Sequence, residues 1–165
     1  MPRIELKTVI KAHISLVFDL SRSIDLHQNS TKHTNEQAVA GRVSGLIKMG
    51  ESVTWRARHL GFYQKLTSKI TAFNAPHHFT DEMQKGIFKS ISHEHHFIKT
   101  TKGTIMTDYF DYESPFGLLG KLMDKVFLKQ YMTNFLLLRN ATIKEFAESD
   151  KWRKIVPEIK KSPFK

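Results

Sequence analysis

The sequence predicts an α+β domain: one strand and two short helices, then a run of antiparallel strands, then one long terminal helix. Three observations carry this reading. The N-terminus alternates apolar and polar residues, five successive β-patterned segments follow one another across turn residues, and the last third carries apolar residues at every third or fourth position. A chain of 165 residues with 40% hydrophobic content suits one domain with a core of its own.

"RIELKTVI", Arg3 to Ile10, sets Ile4, Leu6, Thr8 and Ile10 against charged or polar neighbours, the period of a half-buried strand. "HISLVFDLSRSIDLHQNS" then spaces Ile14, Val17, Phe18, Leu20, Ile24 and Leu26 as a helix would, with Ser21-Arg22-Ser23 as the break between two short helices. The glycine-punctuated stretch from Thr31 to Ser52 reads as irregular with short strand pieces. From there "SVTWRARHL", "KLTSKITAF", "HFTDEMQKG", "FKSISHEHHFIKT" and "GTIMTDYFDY" form an antiparallel meander. After "ESPFG", the recurrence of Leu119, Met123, Val126, Phe127, Tyr131, Phe135, Leu138 and Thr142 predicts a long amphipathic helix to about Glu148. "GLLGK" reads as its start.

Composition narrows the chemistry. The chain has no cysteine, which excludes disulfides, thiolate metal sites and cysteine nucleophiles. It lacks a Gly-x-Ser-x-Gly elbow, a phosphate-binding Walker loop and a dinucleotide glycine fingerprint, so hydrolase, nucleotidase and dehydrogenase readings lack their physical parts. No apolar run is long enough to span a bilayer and "MPRIELKT" lacks a signal-peptide layout, so a cytoplasmic protein is expected. The net charge of +10 favours acidic partners, RNA or anionic membrane. Six lysines and arginines fall in "DKWRKIVPEIKKSPFK", where two prolines forbid a long helix, so residues 149–165 are expected to form a solvated basic tail beyond a domain at 1–148.

Alternation assigns faces within the meander. Val53, Trp55, Ala57 and His59 oppose Thr54, Arg56 and Arg58, so the arginines belong outside as a basic stripe. Phe79, Asp81 and Met83 share a face, which brings one carboxylate into an apolar row, while Glu82 points away. In "SISHEHHFIKT", Ile91, His93, His95 and Phe97 form the inward set, and Ser92, Glu94 and His96 the outward one. A turn centred on Thr101 and Lys102 pairs Phe97 with Met106, His95 with Asp108 and His93 with Phe110. His95 and Asp108 are therefore expected side by side.

The order of elements, together with the Trp-Arg-Ala-Arg-His, Phe-x-Asp-Glu-Met and His-x-His-x-Phe stretches and "TDYFDYESPFGLLGKLMDKVF", resembles the START-like (SRPBCC) superfamily, and within it the bacterial polyketide cyclase/dehydrase-like branch. The resemblance covers about Arg3 to Glu148. It implies a helix-grip fold, a curved antiparallel sheet wrapped around the C-terminal helix, with a deep cavity between the two. Fold alone does not fix chemistry.

Three functions follow as expectations. The first is binding of a small hydrophobic molecule, a lipid, isoprenoid or polyketide-like compound. Trp55, Met83, Phe110, Met123 and Phe127 would supply apolar contact, and His59, Asp81, His93, His95 and Asp108 polar contact. The second is a cofactor-independent cyclase or dehydratase, with His95 as base, Asp108 as its orienter and Asp81 or His93 as acid. The third is docking on RNA or an anionic membrane through the basic surface. A buried histidine beside an aspartate is equally what an ordinary polar core needs. A metal would take Asp108, Asp81 or His59 as third ligand beside His93 and His95, about 7 Å apart along the strand. The His-Glu-x-x-His motif is broken by Phe97 and the resemblance implies no metal, so neither metal nor cofactor is expected.

Overall fold

A computed structural model describes residues 1–59, 61–115 and 127–156. Seven strands form one antiparallel sheet: β1 (Arg3–Ile10), β2 (Gln37–Gly41), β3 (Ser52–His59), β4 (Phe62–Asn74), β5 (His78–Lys85), β6 (Ser90–Thr100) and β7 (Gly103–Glu113). Their spatial order is β1-β7-β6-β5-β4-β3-β2, so β2 to β7 is a continuous meander and β1 closes it beside β7. Helices α1 (Ile14–Ser21) and α2 (Ile24–Ser30) follow β1. A single 3-10 turn, Lys32–Thr34, leads into β2. Helix α3 (Lys129–Ala147) and the short α4 (Trp152–Ile155) end the described chain. The curved sheet grips α3, which packs on α1, α2 and β1.

The break between α1 and α2 falls where serine chemistry places it. The Ser23 hydroxyl accepts from the Leu26 N–H at 3.2 Å and caps α2. The Asp25 carboxylate accepts the Gly45 N–H at 2.7 Å, tying the irregular loop back to this helix. Underneath, Phe18 of α1 meets Phe73, Phe79 and Phe97 edge-on at 5.4 to 5.6 Å. These aromatics join Ile10, Val17, Leu20, Ile70 and Met106 in the larger core cluster. Such edge-to-face pairs add about 0.5–1.5 kcal/mol each beyond burial of area. A smaller cluster of Ile4, Ile91, Phe110, Tyr112 and Leu136 joins the far end of the sheet to α3.

The hairpin of β6 and β7 turns at Thr101-Lys102 and has the register expected from it: Phe97 pairs with Met106, His95 with Asp108, and His93 with Phe110. Ile91, His93, His95 and Phe97 are buried and alternate with half-buried Ser92, Glu94 and His96. Arg56 and Arg58 are exposed. Arg56 lies over the Tyr63 ring at 4.2 Å, and Arg58 donates to the Gly61 carbonyl at 3.2 Å.

Two expectations are corrected. The buried side of α3 is Leu136, Arg139, Asn140, Ile143 and Ala147, whereas Leu138 of the expected row is 45% exposed. The stripe is offset because Arg139 and Asn140 find buried partners on the sheet and so can sit inside. Residues after Glu148 also do not leave the domain at once. Val156 is buried, and Trp152 and Ile155 pack on the main core, because Trp152, Ile155 and Val156 share one face of the short α4 turn. Leu119, Met123, Val126, the "GLLGK" stretch and residues 157–165 lie outside the described residues.

Candidate functional site

A cavity of about 370 Å³ lies between the sheet and α3. Trp55, His59, Asp81, Met83, His93, His95, Phe110 and Phe127 all line it. Phe127 is 42% exposed, at the rim. Asp108 has no exposed surface and sits beneath the wall, behind the two histidines. Met123 lies outside the described residues.

Strand geometry makes the polar part of the wall. His93 and His95 are two apart on β6, so both point inward from one strand. β7 brings Asp108 directly opposite His95, and β5 brings Asp81 directly opposite His93. A register shift in β4 between Ile70 and Ala72, opposite Asp81 and Thr80, marks a bulge beside the site.

Asp108 is the hub. Its Oδ1 accepts from His95 Nδ1 at 2.8 Å, His93 Nε2 at 3.1 Å and Arg139 Nη1 at 3.4 Å, and its Oδ2 accepts from Asn140 Nδ2 at 2.7 Å. Arg139 also donates to the Ser21 carbonyl at 3.1 Å and to Asn140 Oδ1 at 3.0 Å. Burial works to raise the Asp108 pKa, but the histidine hydrogen bonds and the Arg139 charge outweigh it and hold it well below the usual carboxylate value. An ionised carboxylate only accepts, so His95 Nδ1 and His93 Nε2 carry the hydrogens. The opposite nitrogens, His95 Nε2 and His93 Nδ1, then lie 3.2 and 4.0 Å from Asp81 Oδ1. The two rings lie 3.8 Å apart, and Phe79 stacks on His95 at 4.1 Å. Burial first, then the neighbouring charge of His95, pushes the His93 pKa down to about 4. Asp81 is also held low: burial opposes this, and the His95 hydrogen bond and nearby positive groups prevail.

A second polar group lines the same cavity from α2, β3 and α3. His59 Nδ1 and Tyr131 Oη are hydrogen-bonded at 2.7 Å, and His27 lies 3.4 Å from Glu36 and meets the Trp55 ring in a tilted contact at 4.3 Å. Burial depresses the His59 pKa and raises that of Tyr131. Glu36 is held low by His27 against the opposing effect of burial.

Sequence reasoning did not find Arg139, Asn140, His27 or Glu36. The available signal for the first two was an Arg-Asn pair inside "FLLLRNATI", polar residues within an otherwise apolar helix. Nothing local pointed to His27 and Glu36, whose pairing depends on how α2 meets the chain just before β2.

No protein-family model matches the chain, and a search of curated proteins returned no match. Solved structures do match. TTHA0849 from Thermus thermophilus aligns with a TM-score of 0.71 at 16% identity, over 87% of this chain and 95% of that one. Major latex-like protein 151 from Panax ginseng gives 0.66 at 20% identity, over 90% and 98%. SA2116 from Staphylococcus aureus gives 0.66 at 15% identity, over 91% and 95%. The chain has a helix-grip fold, as these solved structures do, which is the fold that the START-like (SRPBCC) resemblance implies. Among the described residues, no helix is long and apolar enough to cross a membrane.

Proposed function

We propose that this protein binds a small hydrophobic molecule in the cavity between sheet and α3, with the polar wall at Asp81, His93 and His95 orienting the ligand's polar end. One observation carries the reading: a cavity of about 370 Å³ whose walls are mostly apolar side chains and include a buried, hydrogen-bonded polar cluster. That volume falls within the roughly 300–1,000 Å³ of small-molecule sites, which share this pattern of apolar walls with a few fixed polar groups. Lipid, isoprenoid and polyketide-like molecules all fit the chemistry.

The test is displacement of the fluorescent probe 1-anilinonaphthalene-8-sulfonate by dodecanoic acid. The expected result is saturable displacement at one site, weakened at least about tenfold by Met83→Trp, which fills the apolar side of the cavity. Dodecanoic acid that fails to displace the probe, or displaces it equally from Met83→Trp, would overturn the reading.

The 2.8 Å contact between His95 and Asp108 supports a second reading, a cofactor-independent cyclase or dehydratase with His95 as base and Asp108 as its positioning residue. In that case His95→Gln removes turnover while dodecanoic acid still binds. Equal loss of both would assign His95 to binding alone.

A further inference from the structure

Against the sequence expectation of a metal-free cavity, we propose that Asp81, His93 and His95 form a site for one divalent transition-metal ion, braced from beneath by Asp108 and open toward the cavity. The inference rests on the cavity reading only in assigning the open positions to the ligand's polar head.

Geometry comes first. One ligand atom from each of the three residues lies within 4.8 Å of the other two. Four-coordinate zinc with bonds of about 2.0–2.1 Å sets its donors roughly 3.4 Å apart. The separations from Asp81 Oδ1, 3.2 Å to His95 Nε2 and 4.0 Å to His93 Nδ1, bracket that value. Two histidines and one carboxylate, with positions left over, form a donor set used by open metal sites.

The support behind the donors is the stronger argument. Metal-binding histidines fix their ligating nitrogen by donating the other N–H to a carboxylate or carbonyl. Here both histidines donate to the same fully buried carboxylate, and each thereby turns its remaining nitrogen toward Asp81. Arg139 and Asn140 hold that carboxylate in turn.

Charge points the same way. Two carboxyl groups, Asp81 and Asp108, meet the histidine pair, while Arg139 brings one guanidinium to the cluster through Asp108, so a further positive charge is needed for balance. A proton between His95 Nε2 and Asp81 would meet that need for one contact. It leaves His93 Nδ1, at 4.0 Å, beyond hydrogen-bond distance of Asp81. A metal ion serves all three donors at once.

Cobalt(II) is the probe, because its visible spectrum reports coordination number and needs no turnover. The outer face of the sheet carries another candidate group, His78, Glu94 and His96, so the measurement is made on tag-free full-length protein and on the His78→Gln/His96→Gln double variant. The expected result is one equivalent of cobalt with a four- or five-coordinate spectrum, retained in the double variant and displaced by stoichiometric zinc. Asp81→Asn and His93→Gln, checked for native circular dichroism, should each weaken binding more than about tenfold, and Asp108→Asn by about 10–100-fold as a bracing residue. Cobalt that fails to bind, that binds equally to Asp81→Asn and His93→Gln, or that is lost only in the double variant would overturn the proposal. Dodecanoic acid displacement repeated on chelator-treated protein separates the two readings. Retained displacement without cobalt binding defeats only the metal site, and cobalt binding without displacement defeats only the hydrophobic-ligand reading.

Discussion

His93 shows how one buried side chain couples the site to stability. Asp81 faces it from β5, His95 from its own strand and Asp108 from β7, and Arg139 of α3 reaches the cluster through Asp108. Burial and the charge of His95 outweigh the two carboxylates and hold its pKa at about 4, against 6.5 in the unfolded chain. The folded value is depressed, so between these limits the unfolded chain takes up a proton that the native protein refuses. Stability from this residue is complete above about pH 6.5 and declines as pH falls toward 4, by about 3 kcal/mol at most. Asp81 and Asp108, held below the ordinary carboxylate value, add their own losses at still lower pH. Thermal melts of chelator-treated protein should show the melting temperature dropping from pH 7 to pH 5, with a flatter limb over that range in His93→Gln. An unchanged limb in that variant would assign the acid sensitivity to another group. Arg139 belongs to the same scale. Removing one partner from such a buried charge cluster typically costs about 3–5 kcal/mol, because the remaining charge is left uncompensated.

At the scale of elements, the hairpin of β6 and β7 decides whether the site exists. Its two-residue turn fixes the pairing of His95 with Asp108, and a slip by one residue would send both histidines to the outer face. Gly103 is the constraint on that turn. Its φ is +135°, and a Cβ there would lie 2.2 Å from the Ile10 carbonyl oxygen, where β1 passes the turn. Gly103→Ala should therefore destabilise the protein by more than about 2 kcal/mol, through both backbone strain and a clash with main chain. Chemical denaturation checks this, and a loss under about 0.5 kcal/mol, the range of ordinary surface changes, would refute it. This hairpin was legible in the sequence because both its determinants are local: alternation chooses the face and turn length chooses the partner. The buried side of α3 was not. Spacing alone favours the row through Tyr131, Phe135 and Leu138, whereas Arg139 and Asn140 turn inward only because Asp108, about thirty residues earlier, offers them an acceptor.

Across the whole molecule, the net charge of +10 and the cavity are independent features, and among the described residues the cavity is where buried polar side chains are arranged around an opening. The overall fold was legible because the strand and helix periods and their order all agree. The size of the cavity was not, since it depends on how far α3 stands from the sheet, and no local pattern encodes that distance. The cavity draws its wall from α2, from β3 to β7 and from α3, so a ligand inside it must bridge sheet and helix. Occupancy should therefore stabilise these elements together. With dodecanoic acid at a hundredfold excess over its Kd, the gain is about 2.7 kcal/mol from binding the native state alone. Hydrogen exchange measured with and without the acid should show slower exchange in β3, β5, β6 and α3 at once, because opening any of them to the extent of exposing the cavity releases the ligand. Slowing confined to the exposed Arg56 and Arg58 face of β3, with α3 unchanged, would place the acid on the basic surface and remove the case for an interior site.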